Sequence, residues 1–291
     1  MIKRIVLVFL VLAVSTIAHG AAKPNGLVIL ATDYGADSIY VGEIKGAIYT
    51  KFPQARVDSI TNSIPPYDIV TGAYTLLEST GMYPSGTTFV CIVDPGVGTP
   101  RKPIVLETND GQRYVGPDNG ILSLVADKYG VAEIRECANP ELWRAGDVSH
   151  TFHGRDIFGP VAAALASGAP MDKVGPKLES LTKLDTTPST VEGDTVHGSV
   201  IRVDDYGNIV TNIPAENLAK AKIKKGDTLD VAIGKAHFTA PLVSTYGDAP
   251  KGQRLVNIQS AGFVECAVNQ GSLVKETGEG VKARVSIVKK P

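Results

Sequence analysis

Between Gly26 and Gly168 short apolar runs alternate with stretches of helical period. Leu27-Val28-Ile29-Leu30-Ala31, bounded by Gly26 and by Thr32-Asp33-Tyr34-Gly35, reads as a buried strand. From Ser38 to Phe52 the apolar residues Ile39, Val41, Ile44, Ala47 and Ile48 recur at roughly helical spacing. Arg56 to Ile60 is a second strand candidate. Asp68 to Met82 reads as a second helix, stopped before Tyr83-Pro84-Ser85-Gly86. Thr88 to Val93 is a third strand, halted by Asp94-Pro95-Gly96. Strands alternating with helices predict an α/β domain with a central, mainly parallel sheet. Ligands bind such sheets beyond the carboxyl ends of the strands, which is where the loops at Thr32 and Asp94 fall.

The pattern changes after Leu184. Asp185-Thr186-Thr187-Pro188-Ser189-Thr190 is polar, contains proline and reads as a linker. Beyond it, alternating segments at Thr195–Val203, Thr228–Ile233, Ala236–Leu242, Leu255–Ile258 and Val281–Val288 are punctuated by Gly, Asp and Asn. They predict a small antiparallel β-barrel. The expected organisation is thus an α/β N-terminal domain over residues 25–185 and a C-terminal β-barrel over 193–289.

Residues 1–20 read as a signal peptide outside the fold. Lys3 and Arg4 precede an uncharged, mostly apolar run from Ile5 to Ile17, and Ala18-His19-Gly20 supplies small residues for cleavage. The run is short of the roughly 18–20 residues that span a bilayer, so export with cleavage is expected, to the periplasm or outside the cell. No later stretch is long and apolar enough to cross a membrane, so no membrane partner is expected after cleavage. With 29 basic against 30 acidic residues the chain lacks the basic excess of a nucleic-acid binder. Cys91, Cys137 and Cys266 lie far apart and make neither a CxxC metal site nor a disulfide framework; three buried thiols are expected.

Five loops concentrate polar residues where turns occur: Thr32-Asp33-Tyr34-Gly35, Asp94-Pro95-Gly96-Val97-Gly98 with Arg101, Pro117-Asp118-Asn119-Gly120, Thr151-Phe152-His153-Gly154-Arg155-Asp156, and Asp204-Asp205-Tyr206-Gly207-Asn208. Taken singly, Asp-Pro-Gly and Asp-Asn-Gly are ordinary turns, and a lone histidine is ordinarily structural. In this order and spacing, however, they resemble the S-adenosyl-L-methionine hydrolases (SAM hydroxide adenosyltransferases), relatives of the bacterial fluorinase and chlorinase. The resemblance runs from about Leu27 to Val288. It implies an α/β domain followed by a β-barrel, assembly as a homotrimer, and a substrate site between the N-terminal domain of one subunit and the C-terminal domain of the next.

The hydrolase branch carries an Asp, an Arg seven residues later and a His in a Phe-His-Gly segment, matched here by Asp94, Arg101 and His153. The halogenating branch has Tyr at the Asp94 position. Gly154 stands where the fluorinase has its halide-binding serine; the chlorinase also has Gly there. Water needs a base and an orienting acceptor, whereas a carboxylate beside a halide repels it, so Asp94 favours water as nucleophile. The resemblance thus implies hydrolysis to adenosine and L-methionine by in-line attack at ribose C5′, with no cofactor and no metal.

Other roles follow from the same match. Asp33 is the carboxylate for the ribose hydroxyls, with a helix cap as its structural alternative. Tyr67 is an aromatic near the ligand, and Thr151 and Phe152 flank the ribose. Asp204 pairs with the methionine ammonium, Asn208 reads adenine, and Ser260 meets the methionine carboxylate. The fluorinase has Arg after that serine, where this chain has Ala261. Tyr246 stacks on adenine or packs the barrel. Two other functions stay open: an exported adenosyl-ligand binding protein with little turnover, and halide transfer to C5′.

Overall fold

The computed structural model describes residues 22–290; the expected signal peptide lies outside the described residues. The N-terminal part runs β1 (Leu27–Thr32), α1 (Ile39–Lys51), β2 (Arg56–Thr61), α2 (Ile69–Ser79), β3 (Thr88–Ile92), β4 (Pro103–Thr108), β5 (Arg113–Pro117), α3 (Ser123–Tyr129), β6 (Val131–Glu136) and α4 (Gly159–Ala166). Its sheet has the order β2-β1-β3-β5-β4-β6. Strands β2, β1, β3 and β5 are parallel. β4 and β6 add an antiparallel edge, because the short turn after β4 can only make a hairpin with β5.

Two cores sandwich this sheet. Val28, Leu30, Val90 and Ile92 point to the side covered by α1 and α4. Ile29, Ala31, Phe89 and Cys91 point to the side covered by α2 and α3. That alternation is the period of a strand, and burial on both faces explains why β1 and β3 are continuously apolar. α1 presents Val41, Ile44 and Ile48 inward, and Ser38 caps it by accepting the Tyr40 amide. α2 is capped by Asp68 and ends at Ser79, passing into a 3-10 turn at Thr80–Met82.

The C-terminal part runs β7 (Thr190–Glu192), β8 (Thr195–Val203), β9 (Ile209–Pro214), α5 (Ala215–Lys220), β10 (Thr228–Ile233), β11 (Ala236–Pro241), β12 (Arg254–Ile258), β13 (Phe263–Val268), α6 (Leu273–Thr277) and β14 (Arg284–Lys289). These strands form an antiparallel sheet in the order β11-β10-β14-β8-β9-β13-β12, with β7 paired to β8. A bridge between Leu242 and Val256 joins its two ends, so the sheet is a nearly closed barrel around Val196, Leu229, Val264 and Ile287. β9 and β13 escape the alternating pattern because nearly every residue in each is buried. The outer face of β9 offers Val210 to a second small cluster with Tyr74 of α2. All three cysteines are buried and unpaired, and burial pushes the Cys266 thiol up to about 12. No helix among the described residues is long and apolar enough to cross a membrane.

Candidate active site

β1 and β3 are neighbours and parallel, so both end at the same edge of the sheet. The Asp33 amide donates to the Ile92 carbonyl at 3.2 Å, which holds the loop after β1 against the end of β3. Asp94 follows β3 and meets Arg101 in a two-point contact: Nε donates to Oδ1 at 2.9 Å and Nη2 to Oδ2 at 2.5 Å. Both side chains are almost fully buried. Paired, parallel contacts between a guanidinium and a carboxylate fix geometry as well as charge.

The same Nη2 lies 3.0 Å from Nδ1 of His153. A guanidinium only donates, so Nδ1 accepts and the ring proton sits on Nε2. Burial, reinforced by the Arg101 charge, holds the His153 pKa below its ordinary value, against the pull of Asp94. His153 is therefore held neutral, and its free N–H is a donor. Arg101 also lies over the Phe158 ring at 5.2 Å, and its Nη1 is buried without a partner.

His153 opens a π-helical turn, Gly154–Phe158, that leads into α4. Asp156, in that turn, is wholly buried. Its carboxylate accepts from Arg144 Nε at 2.5 Å, Arg155 Nε at 2.7 Å and the Ser149 amide at 2.7 Å. Burial opposes ionisation, but these donors win and bring the Asp156 pKa down to about 2. The Ser149 hydroxyl in turn accepts the Thr151 amide at 3.2 Å. One buried carboxylate thus fastens the loop that carries Thr151, Phe152 and His153. That loop comes so near Gly98 (φ +76°) that a Cβ there would meet the His150 carbonyl at 2.7 Å, a position only glycine can fill.

Asp33 caps no helix, since Ser38 caps α1. Its Oδ2 accepts the Tyr67 amide at 3.0 Å. Burial raises its pKa, the Tyr67 amide opposes this, and the nearby Asp94 charge adds to the rise. Tyr67 itself sits at φ 66° and is 74% exposed. Phe152 meets Tyr34 and Tyr40 edge to face, with ring centroids 5.8 and 5.3 Å away. Gly154 packs under Tyr34: a Cβ would lie 3.0 Å from the Tyr34 hydroxyl and 3.1 Å from both Ile44 and Ile92. A serine there has no room without displacing that packing.

The C-terminal residues lie elsewhere in the chain. Asp204, Asn208 and Tyr246 line a cavity of about 900 Å³ with Tyr206, Gln270 and Lys275, and no N-terminal residue walls it. Asp204 is turned toward its own loop: Oδ1 accepts the amides of Tyr206 and Asn208, and Oδ2 accepts Asn208 Nδ2 at 2.9 Å. Ser260 is exposed in the turn between β12 and β13, against Gln259, and is not part of that cavity wall. Within one chain the structure joins Asp94, Arg101 and His153 and sets Asp33, Thr151 and Phe152 beside them, while Asn208 and Tyr246 line the separate C-terminal cavity and Asp204 also lines a second one with Thr61, Ser63, Ile64 and Pro65.

Tyr34, Asp156 and Glu265, which accepts the Tyr246 hydroxyl, are absent from the sequence-based set. Tyr34 and Asp156 lie within the loop motifs already singled out; only their side-chain directions were invisible. Glu265 sits in a buried strand with no motif to mark it.

The SAM hydroxide adenosyltransferase N-terminal domain model matches residues 28–175, and the corresponding C-terminal domain model matches residues 198–286. The chain belongs to the SAM hydroxide adenosyltransferase family. It is 38% identical to the (R)-S-adenosyl-L-methionine hydrolase of Salinispora arenicola, over 82% of this chain and 89% of that protein. It is 27% identical to a fluorinase of an Actinoplanes species, over 87% of this chain and 94% of that protein. The crystal structure of an uncharacterized conserved protein from Thermotoga maritima superposes with a TM-score of 0.86 at 40% identity, covering 90% of this chain and all of that one.

Proposed function

We propose that this protein hydrolyses S-adenosyl-L-methionine to adenosine and L-methionine by attack of water at ribose C5′. The observation that carries this reading is the Asp94–Arg101–His153 network, held at 2.5–3.0 Å beyond the end of β3, with the Asp94 and Arg101 side chains almost fully buried. Similarity to hydrolases at 32–38% identity supports it.

The chemistry follows from the donors and acceptors. With His153 neutral, protonated at Nε2 and its Nδ1 taken up by Arg101, Asp94 is the only one of the three with a lone pair left for water, so it orients the water and takes its proton. His153 Nε2 donates to the same oxygen, and the Arg101 charge stabilises hydroxide as it forms. The water oxygen bonds to C5′, the C5′–S bond breaks, and its electron pair goes to sulfur, leaving neutral methionine thioether. Hydroxide and sulfonium cancel each other's charge in the transition state, so a dry, preorganised pocket favours the step over bulk water. Asp33, with both oxygens available as acceptors beyond the Tyr67 amide, suits a ribose diol.

The two separated half-sites support assembly as a homotrimer in which Asp33 and Asp94 of one subunit face Asp204, Asn208 and Tyr246 of the next. Ile39, Tyr67, Tyr206 and Ile258, exposed apolar side chains flanking both halves, suit such a contact. Export is part of the same proposal, supported by the basic, then apolar, N-terminal sequence. The carboxylate at position 94 speaks against halide transfer, and the tight packing around Gly154 only against a halide-binding serine there. The test is incubation of the purified protein with each sulfonium epimer of the substrate, followed by chromatography. Stoichiometric adenosine and methionine support the reading; binding without either product supports the ligand-binding alternative.

A further inference from the structure

In the N-terminal sheet β5 lies between β3 and β4. It runs parallel to β3 and antiparallel to β4, so the end of β3, the end of β5 and the start of β4 share one edge. Asp94 follows β3 and Arg101 precedes β4, so the segment that joins them crosses over the end of β5. The residues that follow β5, Asp118 and Asn119, stand where that crossing needs support.

They hold it on both flanks. Asn119 Nδ2 donates to the Val93 carbonyl at 2.8 Å, one residue before Asp94. The Asp118 amide donates to the Lys102 carbonyl at 2.9 Å, one residue after Arg101. The β3–β5 register ends at Val90 and Val115, short of Val93, which is wholly buried. A buried carbonyl needs a donor, and here a side-chain amide supplies it. The Ile92 carbonyl already takes the Asp33 amide, so the last two carbonyls before Asp94 are held from the β1 side and the β5 side in turn. Asn119 is itself anchored. Its Oδ1 accepts the Ile121 amide at 3.2 Å, and the neighbouring Asp118 carboxylate accepts the Thr182 amide at 2.7 Å.

We propose that Asn119 is a positioning residue for hydrolysis, setting through the Val93 carbonyl the direction in which Asp94 leaves β3 and so the aim of its carboxylate at water. This rests on the proposed function and adds to it a residue that acts through Asp94. Arg101 orients the carboxylate, whereas Asn119 fixes the backbone that carries it. An amide is the group this position requires. Its donor faces a carbonyl and its acceptor faces an N–H, so a carboxylate of the same shape makes the second contact and loses the first. The effect on rate is large because misplacing a reacting group by about 1 Å costs on the order of a hundredfold.

The experiment measures single-turnover hydrolysis of S-adenosyl-L-methionine, and calorimetric Kd for the unreactive thioether S-adenosyl-L-homocysteine, in wild type, Asn119→Asp and Asn119→Ser. Each substitution is also placed in an Asp94→Asn background. Both keep an oxygen that accepts the Ile121 amide and so keep the turn. Neither donates to Val93, since a carboxylate has no proton to give and a serine hydroxyl stops short. Agreement between them separates the lost hydrogen bond from the charge that aspartate adds. The expected result is hydrolysis slowed about ten- to a hundredfold in both variants, with Kd within about twofold of wild type. In the Asp94→Asn background the further loss is expected to stay under about threefold, because no carboxylate remains to be aimed. An equal loss in both backgrounds, affinity falling in step with rate, or a wild-type rate in either variant overturns the proposal and leaves the proposed function intact. A wild-type protein that does not hydrolyse the substrate overturns both. If Asn119→Asp does not fold, Asn119→Ser carries the same comparison with the same expected and contrary results.

Discussion

Arg101 Nη2 stands 3.0 Å from His153 Nδ1 while the same guanidinium grips Asp94. Because the guanidinium cannot accept, this one contact fixes the imidazole tautomer and leaves Asp94 as the network's acceptor. Three residues thereby act as one unit.

Asp94→Asn is expected to slow single-turnover hydrolysis by about a hundred- to ten-thousand-fold, the usual worth of a general base, with substrate affinity changed only a few-fold. His153→Ala is expected in the same range. The double variant is expected to lose much less than the product of the two, because each change disables the same unit. Rapid-quench kinetics of the three variants checks this, and a multiplicative double variant contradicts it.

The acid limb of the reaction follows from His153. Its pKa lies below the ordinary 6.5, so the ring stays neutral through that value and protonates only at lower pH. The rate constant is expected to be flat from about pH 8 to 6.5 and to fall below. Stability should move the same way. The unfolded chain takes up the imidazole proton first as pH drops through 6.5, so acidification in that window favours unfolding. A rate profile bending at or above pH 7 conflicts with the Nδ1 contact.

Asp156 gives a second pH signature. Its folded pKa of about 2 lies below its unfolded value of 3.8. The stabilisation it provides is complete above the unfolded value and disappears as pH falls toward 2. Asp156→Asn is expected to flatten the loss of thermal stability across that interval. Melting temperature against pH for both proteins measures it.

Gly154→Ser is expected to lower the melting temperature and hydrolysis together without creating halide transfer, because the new side chain meets Tyr34, Ile44 and Ile92 at 3.0–3.1 Å. Thermal melts and chromatography for a halogenated nucleoside at high fluoride or chloride check it.

Legibility in the sequence tracked how local the signal was. β1, α1 and β3 announced themselves through apolar period and flanking turns, and the Asp94 and His153 loops through dense polar motifs. β9 and β13 did not, since residues buried on both faces lose the alternation that marks a strand. The antiparallel pairing of β4 and β6 was equally hidden, because partner choice depends on contacts distant in sequence. At the site, residue identity was readable but direction was not. Asp204 folds back on Asn208, and Glu265, without a motif, ends up as the carboxylate behind Tyr246.

The most direct measurement is hydrolysis of S-adenosyl-L-methionine by the wild-type protein in heavy-oxygen water, with mass spectrometry of both products. Attack of water at C5′ places one heavy oxygen on the adenosine 5′-hydroxyl and none on methionine. Adenosine without the label, or label found on the methionine fragment, contradicts water attack at C5′ directed by Asp94, Arg101 and His153.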